Sequence, residues 1–415
     1  MANLLSKFAF IGIVFFAILY QFLVKDFLFE VLGYARKTSS VHEYSRYECE
    51  KVDELGLEGC EDMWLHHKTG FLYMACSDSA SRQQWLPAIG HLNASGRGLK
   101  DRIAVLDTRG PGRLAARIQW LSIENFSGIN GDATLNLQGF DIRADKHTNT
   151  LRILLINHRP PISETTGELL DASKLGANST IELFQTTVGG SSMRHVRTYS
   201  NEVIQTPNRV AWINEHSFVF TNDHSSKVGR TRVLELALGG GSVGYCDGHR
   251  CNIAYSSGLN GPNGLVRGLD GLIYVPNTVG RKIQVLSLSE DHKLQNLYEI
   301  ANLLPLDNLS VDENGNIFAA AFPKLYKWSQ FTTDAFNVHP PSTVLKISRA
   351  GKPYRRDRQL DSAKQHNGDF IVEKVLEDNS GILPGSTVAV HDSQTGKIFL
   401  GSVLSPFITI CSPRN

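Results

Sequence analysis

The sequence lacks any long block of like charge. Its 42 basic and 41 acidic residues give a net charge of +1 over 415 residues, so the basic excess typical of nucleic-acid-binding proteins is missing. The glycine-rich stretch that begins at Ala237 is not followed by lysine and serine or threonine, which excludes a P-loop there. His66 and His67 lack the spacing and the partners of a zinc site. We therefore expect no nucleic-acid partner, no phosphate loop and no zinc.

Cysteine is scarce, with six residues, but an even number is typical of a disulfide-bonded protein of an oxidising compartment. Cys246 and Cys251 lie in a turn-like stretch where a local disulfide is feasible. Cys60 and Cys76 lie near opposite ends of a predicted hairpin, where they either pair across it or remain two buried thiols. Three sequons predict N-linked glycans, at Asn93, Asn125 and Asn178.

Six segments share one pattern, in which a polar residue opens an apolar run that a polar turn separates from a second apolar run. These openers are Glu61, Gln138, Asn208, Asn263, Asn308 and Ser386. A third apolar run usually follows, beginning at Arg102, Ser179, Arg232, Lys282, Ser342 and Phe407. Repeated units of this kind predict an all-β fold, a six-bladed β-propeller over residues 41–415 with roughly 60 residues per blade. In a propeller the openers start the innermost strands, so they are expected to converge on the central axis.

The two ends of the predicted propeller each carry a cysteine. Cys49 lies just before the first blade, and Cys411 lies just after the last apolar run. A propeller brings these ends together, so a disulfide between them would close the ring and constrain a very long loop of the unfolded chain.

Residues 1–40 are predicted to be a signal-anchor or transmembrane segment with a linker. Residues 8–24 carry no charge, and a helix of that length spans about 26 Å, the lower limit for crossing a bilayer. No convincing small-residue cleavage site follows. We therefore expect a retained membrane anchor in the secretory pathway, with the propeller lumenal or extracellular. A cleaved signal peptide, which would make the protein secreted, is the alternative.

The chain resembles the serum paraoxonase/arylesterase family from about residue 49 to about residue 411. The resemblance rests on an ordered set of short segments: CEDMWL, NHRP with STIELF, TNDH, PNG, LDNLSVD, and LPGSTVAV with KIFLGSV. Members of that family are six-bladed propellers with two calcium ions in a central tunnel, and they hydrolyse lactones and aryl esters. The resemblance also implies a retained N-terminal hydrophobic segment and a disulfide between the first and last blades.

Five residues match the catalytic calcium ligands of that family in residue type: Glu61, Asn208, Asn263, Asp307 and Asn308. Calcium binds six to eight oxygen atoms from carboxylates and amide carbonyls, and this set supplies both kinds. A turn-forming role would explain Asn263 before glycine, but not the corresponding residues of the other blades. We therefore predict one Ca²⁺ here, which would polarise the carbonyl of a small lactone or ester.

The sequence departs from the family at the pair of catalytic histidines. The second histidine matches His158, but the first falls on Gln138, whose amide orients water or substrate and cannot accept a proton at neutral pH. His158 and Gln138 are the expected catalytic residues, and a carboxylate such as Glu61 or Asp307 is an alternative base. Absent or weak esterase activity is a third possibility.

Three further residues correspond to tunnel residues of the family. Asp223 and His224 match in type, and their role is either functional or structural. Phe322 replaces a family histidine, which makes the expected pocket more apolar.

The second, structural calcium of the family is not expected here. Asp62 matches its first ligand and Phe140 would supply a carbonyl, but Arg209 stands where the family has an acid. A guanidinium beside Asp62 would replace the ion with a charge-assisted pair, so we predict an Asp62–Arg209 contact.

Three functions follow from these observations. The first is a calcium-dependent hydrolase of lactones or of aryl and carboxylic esters. The second is a calcium-stabilised propeller that binds a ligand or partner without turnover, which Gln138 favours. The third is an activity like that of strictosidine synthases or sugar lactonases, with another substrate.

Overall fold

The computed structural model describes residues 2–44, 46–53, 55–248, 250–301, 303–350 and 364–414. Six sheets form the six blades of a β-propeller, and all are antiparallel except for one outer strand, Ser122–Glu124, which pairs parallel with Ser192–Tyr199. The all-β fold and the number of blades predicted from the repeat are therefore confirmed. A separate two-stranded hairpin contains Trp85–Leu86 and His91–Leu92.

In the first three blades, the strands follow one another from the axis outward in the order given for each blade. Blade 1 contains Asp62–His66, Phe71–Cys76, Arg102–Asp107 and Ile118–Trp120. Blade 2 contains Leu137–Ala144, Thr150–Arg159, Asn178–Thr187, Ser192–Tyr199 and Ser122–Glu124. Blade 3 contains Pro207–Trp212, Ser217–Asn222, Ser242–Asp247 and Arg250–Tyr255.

The last three blades complete the ring in the same order. Blade 4 contains Val266–Arg267, Ile273–Asn277, Lys282–Leu288 and Leu294–Ile300. Blade 5 contains Leu306–Val311, Ile317–Ala321, Ser342–Arg349, Phe370–Asp378 and Lys364–Asn367. Blade 6 contains Val388–His391, Ile398–Gly401, Ile408–Pro413 and Tyr47–Val52.

The innermost strand of each blade begins at or within three residues of a predicted opener. Strands in the inner part of a blade have neighbouring blades on both faces, so their side chains are buried on both faces rather than alternately. Every residue of Ile317–Ala321, the second strand of blade 5, is buried for this reason. Apolar side chains such as Tyr73 of blade 1 and Phe140 of blade 2 fill the space between neighbouring blades.

The ring closes through the terminal strand Tyr47–Val52, which pairs antiparallel with Ile408–Pro413 in blade 6. Cys49 lies directly opposite Cys411 in this register, and the two form a disulfide. The other two disulfides join Cys60 to Cys76 and Cys246 to Cys251. All three predicted pairings are confirmed, and they are typical of a protein that folds in an oxidising compartment.

The third apolar run of blade 3 was predicted wrongly. The run that begins at Arg232 is part of the helix Thr231–Leu238, and the third strand is Ser242–Asp247. Leucine, glutamate and alanine are strong helix formers, and Gly239, with a φ of +83°, ends the helix. The helix lies over one end of the ring instead of within the blade.

The remaining helices are short, apart from one at the N-terminus. The α-helices are Ala2–Leu19, Val41–Tyr44, Ser79–Arg82, Ala172–Leu175 and Leu325–Phe331. The 3₁₀ and π-helical segments are Tyr20–Val24, Phe27–Val31, Pro87–Ile89, Ala94–Gly96 and Leu114–Arg117.

The N-terminal helix exposes much of its apolar surface, and Phe10 and Ile13 are each 68% exposed. The chain that follows the two π-helical segments contacts the propeller, where the rings of Tyr34 and Tyr326 stack with centroids 4.4 Å apart. Within the described residues, no helix combines the length and the apolarity that crossing a bilayer demands. The membrane anchor stays a prediction.

The three predicted glycosylation sites, Asn93, Asn125 and Asn178, are all exposed. Asn308, which also begins a sequon, is fully buried. The glycans themselves stay predictions.

Candidate functional site

A cavity of about 570 Å³ opens at one end of the ring axis. Its floor is made by the residues that open the inner strands, including Glu61, Gln138, Asn208, Asn263 and Asp307. Its walls come from connections outside the blades and are largely apolar: Leu86, Ile89, Leu236, Phe322, Leu325 and Trp328. This volume and this mixture of an apolar wall with a polar floor are typical of small-molecule sites.

Hydrogen bonds between neighbouring blades hold the floor together. The hydroxyl of Thr387 in the blade 6 segment donates to the carbonyl oxygen of Glu61 at 3.0 Å. The backbone N–H of Asn308 donates to the carbonyl oxygen of Thr387 at 3.0 Å. A Cβ at Gly264 would collide with Oδ1 of Asn308, so only glycine allows blades 4 and 5 to approach this closely. The floor residues are therefore fixed by the ring, not by one strand.

Glu61 lies at the centre of a small hydrogen-bond network. Its Oε1 accepts from the amide nitrogen of Asn308 at 2.9 Å and from that of Gln138 at 3.2 Å. Nδ2 of Asn263 donates to Oγ1 of Thr278 at 3.3 Å, and Asn263 and Asp307 line the same cavity. The structure therefore brings the predicted ligands from blades 1, 4 and 5 together, with Gln138 of blade 2 beside them. Asn208 of blade 3 lines the same cavity.

The floor holds five buried oxygen atoms that accept no hydrogen bond from the described part of the chain. They are Oε2 of Glu61, Oε1 of Gln138, and Oδ1 of Asn208, Asn263 and Asn308. An unsatisfied buried acceptor costs about 1–3 kcal/mol, so a bound cation would stabilise five such atoms in one place. One ionised carboxylate oxygen and four amide oxygens, with Asp307 alongside, are the hard donors that calcium prefers.

The composition of this donor set also excludes softer metals. No group of three or more His, Cys, Asp and Glu side chains among the described residues is arranged to hold a metal ion. The floor offers two carboxyl groups and takes its other oxygen atoms from amides. Zinc prefers nitrogen and sulfur ligands, whereas calcium and magnesium bind oxygen. The residues present therefore fit a calcium ion.

The electrostatics of the floor agree with a cation site. In the protein without a cation, burial and then the charge of Asp62 raise the pKa of Glu61 to about 7. Burial and the neighbouring charge of Glu61 also raise the pKa of Asp307 well above its usual value. Two carboxyl groups crowded in a buried site repel each other when both are ionised. A divalent cation between them would remove that repulsion.

Asp62 and Arg209 make the contact that the sequence predicted. Nε of Arg209 donates to Oδ2 of Asp62 at 2.8 Å, and Nη1 donates to the carbonyl oxygen of Leu309. The backbone N–H groups of Met63 and Phe140 donate to the same carboxylate at 2.8 and 3.0 Å. Phe140 thus presents its N–H to Asp62. The carboxylate of Asp62 thus accepts three hydrogen bonds and has the guanidinium of Arg209 beside it, so it already has a cationic partner within the protein.

The Asp62–Arg209 pair separates the large cavity from a second one of about 380 Å³. Glu61 lines the first cavity, whereas Arg209 lines the second together with Asp141 and Trp212. The ion pair therefore lies between the two cavities on the axis. Burial raises the pKa of Asp141 to about 6.

Asp223 and His224 lie in the wall of the large cavity. Nδ1 of His224 is 2.8 Å from Oδ1 of Asp223, and Nη2 of Arg232 is 3.8 Å from the same oxygen. Burial alone would raise the pKa of Asp223, but the hydrogen bond from His224 and the charges of His224 and Arg232 lower it overall. The ionised Asp223 therefore orients the imidazole of His224 through Nδ1.

His158 occupies a different position from the one expected of a residue at the tunnel mouth. Among the described residues, His158 does not line the large cavity; it lines a small neighbouring cavity. Its Nδ1 is 2.8 Å from Oγ of Ser179, and its buried Nε2 has no partner in the described structure. Burial lowers the pKa of His158 to about 3. Its catalytic role stays a prediction.

Several residues of the cavity wall lie in connections between blades, where no repeated pattern marks them. Arg232 stands in the run that was read as a strand, and Lys227 precedes it in the same connection. Trp328 lies in the helix Leu325–Phe331, where its ring packs against Phe322 with centroids 4.8 Å apart. The helix-forming composition around Arg232 was the one available signal.

The chain is similar in sequence to proteins that are described as arylesterases. A family model described as arylesterase matches residues 169–406. Mouse serum paraoxonase/arylesterase 1 is 26% identical over 275 residues, covering 65% of this chain and 67% of that protein. Human serum paraoxonase/arylesterase 2 is 28% identical over 240 residues, covering 54% and 59%. The chain thus spans about three fifths to two thirds of the length of these relatives.

Among solved structures, a luciferin-regenerating enzyme is similar at a TM-score of 0.49 and 12% identity. The match covers 88% of this chain and 95% of that one. A similarity of this size supports no conclusion about function.

Proposed function

Since the chain belongs to the arylesterase family, we propose that it is a calcium-dependent hydrolase of lactones or of aryl and other carboxylic esters. The observation that carries the proposal is the group of five unpartnered oxygen atoms on the floor of the large cavity. They lie beneath apolar walls that suit the body of a small ester.

The calcium ligands are Glu61, Asn208, Asn263, Asp307 and Asn308, and we add Gln138 to this set. Nε2 of Gln138 donates to Glu61, which leaves its free Oε1 among the other unpartnered oxygen atoms. Six side chains match the lower end of the coordination number of calcium. Bound calcium would polarise the substrate carbonyl and stabilise the negative charge that develops on its oxygen during attack.

His224 is our first candidate for the general base. Asp223 holds its Nδ1 as the protonated nitrogen, which leaves Nε2 to take a proton from a water molecule in the cavity that His224 lines. His158 is the second candidate. Its position in a side cavity and its pKa of about 3 make it the weaker acceptor near neutral pH.

The cavity walls would orient the substrate and exclude water. Phe322, Trp328 and Leu236 form an apolar surface above the floor, against which an aryl or alkyl group would pack. The acyl carbonyl would then point toward the floor. Apolar contact of this kind holds the reacting atoms in position for attack.

The test is hydrolysis of phenyl acetate and of an aliphatic lactone by the purified full chain, with calcium and with chelator. We expect turnover that chelation abolishes and excess calcium restores. Asn263→Ala should abolish it, whereas Asn149→Ala, at an exposed turn residue, should leave it unchanged. Turnover that persists in chelator would refute the calcium-dependent mechanism.

The two candidate bases are distinguished by His224→Gln and His158→Gln. A general base contributes about 10²- to 10⁴-fold to the rate, so His224→Gln should lower kcat by at least about 10²-fold. A larger loss in His158→Gln would assign the role to His158 instead.

A second candidate function is ligand binding by a calcium-stabilised propeller without turnover. The Gln138–Glu61 hydrogen bond favours this second function. It places the amide of Gln138 at the cavity floor, where hydrolysis would need a side chain that accepts a proton from water. Calcium binding without hydrolysis of either substrate would support it.

We also propose that the protein is held in a membrane of the secretory pathway by its N-terminal segment, with the propeller lumenal or extracellular. The exposed apolar side chains of the helix Ala2–Leu19 support this. Detergent extraction of the full chain, compared with carbonate extraction, tests it: release by carbonate would refute a retained anchor.

A further inference from the structure

Lys227 is a half-buried lysine in the wall of the large cavity, in the connection between the strand Ser217–Asn222 and the helix Thr231–Leu238. It also lines the small cavity that contains His158. Its ammonium group makes no hydrogen bond or ion pair with any residue that the structure describes. A charged group that is partly removed from water without a partner is unfavourable.

The charged groups nearest to Lys227 in this wall pair with each other and not with its ammonium group. Asp223 is hydrogen-bonded to His224 and lies 3.8 Å from Arg232. Arg232 also donates to the carbonyl oxygens of Lys227 and Ala88, at 2.9 and 2.7 Å. These bonds fix the backbone on which Lys227 stands.

The charge of the whole cavity follows from these pairings. Three carboxyl groups line it, from Glu61, Asp223 and Asp307. The proposed calcium ion would balance Glu61 and Asp307, and Arg232 balances Asp223. Lys227 then gives the calcium-loaded cavity an excess of one positive charge, at a wall position rather than on the floor.

We propose that Lys227 forms an anion subsite, so that the substrate of this cavity is a lactone or ester that also carries a carboxylate. This inference rests on the proposed function for the reacting carbonyl, which would lie at the floor while the carboxylate lies against Lys227. Burial lowers the pKa of Lys227 from its ordinary value. A bound carboxylate would offset that burial and keep the ammonium ionised. The apolar side chains of the cavity wall would accommodate the rest of the molecule.

The experiment measures binding without turnover, by calorimetry on the calcium-loaded full chain. The probes are a five-membered lactam that carries a carboxylate and the same lactam with a carboxamide, because the ring amide resists hydrolysis. Charge-assisted hydrogen bonds are about twice as strong as neutral ones. We therefore expect the carboxylate probe to bind at least about tenfold more tightly than the carboxamide probe.

The variants test whether that difference belongs to Lys227. Lys227→Met should abolish the preference, Lys227→Arg should retain most of it, and each variant is checked for wild-type thermal unfolding. Lys174→Met is the matched control, because Lys174 lies in the nearby helix Ala172–Leu175 with its side chain 80% exposed. It should retain the full preference.

The inference is wrong if the carboxylate probe does not bind, if both probes bind equally, or if Lys227→Met keeps the preference. Hydrolysis of a neutral lactone is measured on the same preparation. Turnover without a preference for the anion would leave the hydrolase proposal intact and remove the subsite. A preference without turnover would leave the subsite intact and remove the hydrolase proposal.

Discussion

Arg209 and Asp62 form a buried ion pair on the axis of the ring, with Nε of Arg209 2.8 Å from Oδ2 of Asp62. The pair joins blade 3 to blade 1, and the bond from Arg209 to the carbonyl oxygen of Leu309 adds blade 5. Arg209 is 3% exposed and Asp62 is fully buried. The guanidinium group of Arg209 therefore links the inner strands of three blades without a metal ion.

Arg209→Met should destabilise the fold by about 3–5 kcal/mol, because it leaves the carboxylate of Asp62 buried without its cation. Urea unfolding at saturating calcium measures the change. Adding Asp62→Asn should recover part of the loss, since it removes the uncompensated charge. Arg143→Met is the control, because Arg143 pairs with the exposed Glu215 and should cost less than about 1 kcal/mol. Equal effects of Arg209→Met and Arg143→Met would contradict this account.

Metal analysis of the purified full chain should find one tightly bound calcium ion per chain. The floor of the large cavity has oxygen atoms without hydrogen-bond partners, whereas Arg209 occupies the position beside Asp62 where a second ion would bind. Chelation should lower the free energy of unfolding by about 2.7 kcal/mol relative to protein in calcium at 100 times its Kd. Asn208→Ala should reduce this difference, and the exposed Asn149→Ala should not. A calcium titration with two tight sites would overturn the role assigned to Arg209.

The fold could be predicted because its strongest signal is periodic. Polar openers followed by paired apolar runs recur once per blade. Because the innermost strands surround the axis, the openers lie close together regardless of the conformation of the loops. The donors Glu61 and Asn308 are far apart in sequence, yet they lie within hydrogen-bond distance. The Asp62–Arg209 contact was predicted from the family resemblance instead, because Arg209 stands where the family has an acidic residue beside Asp62.

The cavity wall could not be predicted in this way, because it belongs to connections that no repeat constrains. The run at Arg232 looks like a strand when its apolar residues are counted, but it has no partner strand and forms a helix. The burial of His158 depends on which side of the strand Thr150–Arg159 it faces, and a β-bulge between Leu155 and Asn157 alters the alternation there.

The ring-closing disulfide should contribute more to stability than the local one. Cys49 and Cys411 are separated by 362 residues, and Cys246 and Cys251 by five. Loop-closure entropy predicts about 6 kcal/mol for the first and about 2 kcal/mol for the second. Unfolding of Cys49→Ala/Cys411→Ala and of Cys246→Ala/Cys251→Ala in urea measures both. A larger loss from the local pair would show that the terminal strand of blade 6 needs no covalent closure.

His158 should make the protein less stable as the pH falls below neutrality. Burial lowers its pKa to about 3 in the folded state, whereas an unfolded histidine titrates near 6.5. Between these values the unfolded chain binds a proton that the folded chain does not, so acid favours unfolding. The loss begins near pH 6.5 and stops growing below about pH 3, and from pH 7 to pH 5 it amounts to roughly 2 kcal/mol.

The measurement compares the free energy of unfolding at pH 7 and pH 5, at saturating calcium, for the wild type and His158→Gln. Subtracting the two differences isolates His158 from the other titrating groups, because they are present in both proteins. The variant should lose roughly 2 kcal/mol less than the wild type over this range. His147→Gln is the control, since His147 is exposed in a turn and its replacement should leave the pH dependence unchanged. If His158→Gln and the wild type lose the same stability, His158 is already protonated or hydrated in the folded protein, and its side cavity must admit solvent.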